Sequence, residues 1–169
     1  MSKARKIAVT GLLFAAALAL SWLENLIPYI PGLPPGIKLG LSNIVMLFCL
    51  YCAGIPYALS LAILKALFVL LIRGMTAGAL SFAGGTLSVI VMILMIYTGS
   101  RRYSAGLVSV CGACAHNMGQ LVTVSVITQS PAVFYYTPIL LISGIIMGIV
   151  TGYVFTKVSP SIDSAKIFL

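Results

Sequence analysis

Carboxylates are almost missing from this chain: among 169 residues only Glu24 and Asp163 are acidic. They lie far apart in sequence and are expected on opposite sides of a membrane. No paired acidic motif is therefore available to hold Mg²⁺ on a diphosphate, and metal-assisted prenyl transfer by this chain alone does not fit. Charge of any sign is scarce, at 7% of residues against about 25% in an ordinary soluble domain. With 61% of the residues hydrophobic, a soluble fold would expose apolar patches far beyond what water tolerates. A soluble enzyme is excluded, and a membrane protein remains. The phosphate-binding pattern GxxxxGK[ST] is also lacking, so the chain does not itself hydrolyse ATP in the usual way. No intrinsic cofactor is expected.

Ten Lys and Arg residues against two acids give a net charge of +8. That excess comes from the scarcity of carboxylates and not from a dense basic face, which nucleic-acid binding requires. The basic residues cluster at the ends of apolar runs, as the positive-inside rule places them. No nucleic-acid partner is expected; the membrane lipid is.

A hydrocarbon core of roughly 30 Å needs about 20 apolar residues per helix. The chain reads as a single all-α membrane domain over residues 1–169 with six spans: Ile7–Leu23, Leu41–Ala53, Ile55–Ile72, one ending near Tyr97, Ala105–Ile127 and Tyr136–Phe155. A signal peptide is the competing reading of the first run, but no small-x-small cleavage site precedes Trp22 and Glu24. The second run is short, so it either spans with tilted neighbours or lies partly embedded beneath the Pro/Gly segment before it. Gly74–Gly85, rich in Gly, Ser and Thr, reads as a candidate re-entrant segment. Lys3, Arg5, Lys6, Arg101, Arg102, Lys157 and Lys166 fall on one side, with only Lys38 and Arg73 on the other. This bias puts both termini in the cytoplasm of a cell-membrane protein.

Gly11, Ala15 and Ala19 recur at four-residue steps on the first helix. They form a stripe that lets another backbone approach closely, either within this chain or on a separate subunit. Trp22 and Tyr29 read as interfacial aromatic anchors. The proline-stiffened Glu24–Gly40 segment is too apolar to be solvated alone, so it folds over the helix ends as a lid or lies on the lipid surface.

The few polar side chains at membrane depth are the site candidates, because an ionisable group in hydrocarbon costs about 2.5–3.5 kcal/mol and seeks a partner or a wet cavity. His116, Asn117 and Gln120 share one broad helical face. Lys65 and Arg73, eight residues apart, lie within about 80° on a helical wheel. With Lys38 and Asn43 they would form a pocket of positive charge, open outward, for a small anionic or carbonyl-rich ligand. Interhelical hydrogen bonding without a ligand is the competing reading for each residue. Two C-x-x-C pairs, Cys49 with Cys52 and Cys111 with Cys114, lie within apolar runs. Packing as small hydrophobes is their first reading; an intramembrane iron–sulfur cluster or other metal, and redox chemistry, are the alternatives.

KLGLSNIVMLFCLYCAG at 38–54, LSFAGGTLSVIVM at 80–92 and AHNMGQL at 115–121 resemble heptaprenyl diphosphate synthase component I, also called the Gx transporter family. That family is similar to the substrate-binding S components of energy-coupling factor (ECF) vitamin transporters. The resemblance implies a six-helix, S-component-like bundle that captures a vitamin- or cofactor-like molecule beneath its first loop. It also implies docking through an A-x-x-x-A pattern, matched by Ala15 and Ala19, on a transmembrane coupling subunit driven by ATPases that use ATP. A non-catalytic membrane subunit in heptaprenyl diphosphate or quinone synthesis is the second reading, and an electron-transfer subunit using the four cysteines is the third.

Overall fold

The computed structural model describes residues 3–24, 40–99 and 103–164, and these residues are helical throughout apart from turns. Six helices follow in order: α1 (Lys3–Leu23), α2 (Asn43–Cys52), α3 (Ile55–Arg73), α4 (Met75–Gly99), α5 (Ala105–Thr128) and α6 (Thr137–Ser164). A short 3-10 turn, Pro131–Tyr136, connects the last two. The breaks fall where the backbone chemistry demands them. Gly54 and Gly74 adopt φ of 100° and 84°, values that glycine reaches without a Cβ clash, and Pro56 opens α3 without losing a needed N–H. The Ser104 side chain caps α5 by accepting the Leu107 N–H at 3.2 Å.

Among the described residues, five segments are long and apolar enough to cross a membrane: Lys3–Leu23, Ile55–Arg73, Met75–Thr98, Ala105–Thr128 and Pro131–Ser159. Their outer faces carry large exposed apolar side chains such as Leu12, Ile72, Leu94, Val126 and Ile149, as a multi-pass membrane protein requires. α2 is different. Its ten residues rise only about 15 Å, half a hydrocarbon core, so the expected second span is instead a buried half-helix. Seven of its residues are buried; the Phe48 ring packs at a tilt on Phe155 of α6, and the exposed Tyr51 meets the same ring.

The candidate re-entrant segment is corrected as well, since residues 75–85 continue straight into α4. Their small side chains do not break the helix. They let neighbours close in: a Cβ on Gly78 would stand 2.5 Å from the Cβ of Leu70 in α3. Packing thus overrides the weak helix propensity of Gly, Ser and Thr.

α6 holds the closest helix contact. Gly144, Gly148 and Gly152 form a four-residue stripe against α5, and Cβ atoms built on the last two would lie 2.4 Å from Val110 Cα and 2.5 Å from Gly106 Cα. This small-residue seam replaces the hydrophobic driving force that lipid cannot supply. Two apolar clusters result. One surrounds α2, with Leu61, Val89, Met92 and Phe155; the other joins Leu80, Leu121, Val124 and Leu140. The polar residues of α5 from His116 to Gln120 fall between them.

Candidate functional site

Lys65 lies ten residues along α3 from Ile55, about 15 Å into the bundle, and is only 4% exposed. Its ammonium donates to the hydroxyl of Ser42, the buried residue just before α2. Glu24, at the end of α1, is its charged neighbour. The Glu24 Oε1 in turn accepts the backbone N–H of Gly40 at 2.5 Å and of Leu41 at 2.7 Å. Gly40 has a φ of 89°, and a Cβ there would come within 2.9 Å of Asn43 Nδ2, so both backbone and space call for glycine.

The facing wall comes from α5. Gln120 and His116, one turn apart, are hydrogen-bonded between their Nε2 atoms at 2.8 Å; with the amide donating, the ring carries its proton on Nδ1. Gly84 of α4 makes room for them: a Cβ there would meet the His116 carbonyl oxygen at 2.9 Å and Gln120 Cγ at 3.0 Å. Lys65, Arg73, His116 and Gln120 line a single cavity with Glu24, Ser21 and Ser81. It has room for about one water molecule.

Four of the seven sequence candidates therefore meet. Asn43 stands beside this group, 5% exposed, against Gly40 and His116, with neither side-chain amide atom hydrogen-bonded. Asn117 turns away toward α6, where its Nδ2 donates to the Leu140 carbonyl at 2.7 Å and to Ser143 Oγ at 3.2 Å. It ties two helices together and lines no part of the cavity. Lys38 lies outside the described residues, as does Tyr29. Sequence reasoning missed Ser21, Ser42, Ser81 and Gly84. It marked Glu24 as a polar residue near the outer boundary, beside Lys38 and Arg73, but left it out of the binding set.

Gly11, Ala15 and Ala19 are exposed, and nothing lies within 4 Å of a Cβ placed on Gly11. The bundle is met by the other side of α1, through Thr10, Ala17 and Ser21. The small-residue stripe is thus not used for packing within the described part of this chain. No disulfide joins the cysteines to one another, and among the described residues no three His, Cys, Asp or Glu side chains gather to hold a metal. Cys114 packs against α6, its thiol 3.9 Å from the Leu141 carbonyl.

Apolar helices of membrane-crossing length, closed around a charged and amide-lined cavity, define a polytopic helical membrane protein. The family model of heptaprenyl diphosphate synthase component I matches residues 13–158, and the chain belongs to that family. No curated protein and no solved structure matches it.

Proposed function

We propose that this protein is the substrate-binding subunit of an ECF-type transporter, capturing a small anionic, vitamin- or cofactor-like molecule from the outer side of the cell membrane. The observation that carries this reading is Lys65. A buried ammonium half-way through an apolar bundle, sharing one cavity with Arg73, His116 and Gln120, is costly unless it serves a partner or a guest. Both termini lie in the cytoplasm. Gly11, Ala15 and Ala19, exposed along α1, meet a transmembrane coupling subunit whose ATPases use ATP, and toppling of the bundle carries the site across the membrane.

Extraction in mild detergent tests this reading. A membrane subunit and ATPases should leave with the wild-type protein, and Ala15→Trp should release them while sparing ligand binding. The family description favours one other reading, a non-catalytic membrane subunit in heptaprenyl diphosphate or quinone synthesis. A soluble chain with aspartate-rich motifs co-purifying in place of the ATPases would select it.

A further inference from the structure

The start of α2 forms a built anion site, and the chain's own carboxylate sits in it. Successive N–H groups of Gly40 and Leu41 converge on one oxygen of Glu24, at 2.5 and 2.7 Å, as in the backbone nests that bind anions. The positive end of the α2 dipole begins directly behind them. Ser42, in the N-cap position, makes no side-chain capping bond; its hydroxyl instead accepts from the Lys65 nitrogen. Asn43, the first residue of α2, is 5% exposed and lies against Gly40 with its amide nitrogen and oxygen both unpartnered. A buried amide without partners is expensive, and here it stands beside the nest as a donor that Glu24 leaves unused.

We propose that this nest is the recognition site for the anionic group of the ligand, a carboxylate or a phosphate, and that Glu24 is its internal occupant, displaced when the ligand anion enters. The inference rests on the ligand-capture reading and specifies how that site takes its guest. Two anions cannot share the same pair of N–H groups, and the cavity beside them has room for about one water, so entry requires exchange. Because Glu24 terminates α1, its release moves the end of the helix that carries Gly11, Ala15 and Ala19. Occupancy of the pocket is thereby reported to the exposed face of α1.

The test removes the occupant. Wild type and Glu24→Ala, each as the purified full chain in detergent, are titrated with sodium acetate and with sodium phosphate at constant ionic strength set by sodium chloride, and thermal unfolding is followed. Glu24→Ala should melt lower than wild type and be rescued by one of the two anions, with an apparent affinity at least about tenfold tighter than wild type shows; the effective arm tells carboxylate from phosphate. Adding Lys65→Met to Glu24→Ala should abolish the rescue. An anion response that is absent, or no stronger in the variant than in wild type, overturns the proposal. Should Glu24→Ala fail to fold, Glu24→Gln, which keeps the shape and loses the charge, carries the same comparison: tighter anion binding supports the exchange, and unchanged or weaker binding overturns it. The capture reading is judged separately, by the molecule that leaves the membrane with wild type, so the two fail independently.

Discussion

The Lys65 nitrogen donates to the buried Ser42 hydroxyl, with the buried Glu24 carboxylate as its charged neighbour. Lys65→Met keeps the bulk of the side chain, leaves Ser42 without its donor and removes the charge beside Glu24. Removing one of two neighbouring buried charges costs more than removing both together. Thermal unfolding in detergent should therefore show a large loss for Lys65→Met and a smaller one for Lys65→Met combined with Glu24→Gln. Asn117→Leu should cost about 1–2 kcal/mol, through the lost ties to Leu140 and Ser143, while leaving ligand binding intact. The helical wheel was enough to bring Lys65 toward Arg73 and His116 toward Gln120. It misplaced Asn117 because spacings of three and four residues define a face about 100° wide, and on α5 that face touches both the cavity and α6. The meeting of Glu24 and Ser42 with Lys65 was not legible. Their approach to Lys65 depends on the path of the segment between α1 and α2, which no periodicity encodes.

Among the helices, the same substitution should have opposite effects at two glycines. Gly148→Ala forces a methyl to within 2.4 Å of the Val110 backbone and should lower stability by about 1–3 kcal/mol through overpacking. Gly11→Ala meets nothing within 4 Å and should be neutral or gain up to about 1 kcal/mol from helix propensity. Unfolding midpoints of the two variants, measured side by side, check the contrast. Hydrophobic runs alone located α1, α3, α5 and α6 to within a few residues, apart from the C-terminal extension of α6 to Ser164. They failed where composition had two meanings. Leu41–Ala53 is apolar because it is interior, not because it crosses lipid, and the Gly/Ser/Thr content of residues 75–85 marks close packing and not a break. The glycine stripe of α6 obeys the same small-residue rule that picked out Gly11, Ala15 and Ala19, but there the neighbour belongs to this chain.

Taken as a whole molecule, the chain places apolar side chains on its outer surface and brings Glu24, Lys65 and Arg73 together with His116 and Gln120 at one cavity, the arrangement of a protein whose solvent is lipid. That inversion was readable from the scarcity of charge. The central claim is that the cavity around Lys65 holds a small molecule. Native mass spectrometry of the protein released from the membrane, comparing wild type with Lys65→Ala and His116→Ala, tests it most directly. The account predicts one small molecule of defined mass on wild type and its loss, by at least about tenfold in occupancy, from both variants; equal occupancy in all three, or none on wild type, would contradict it.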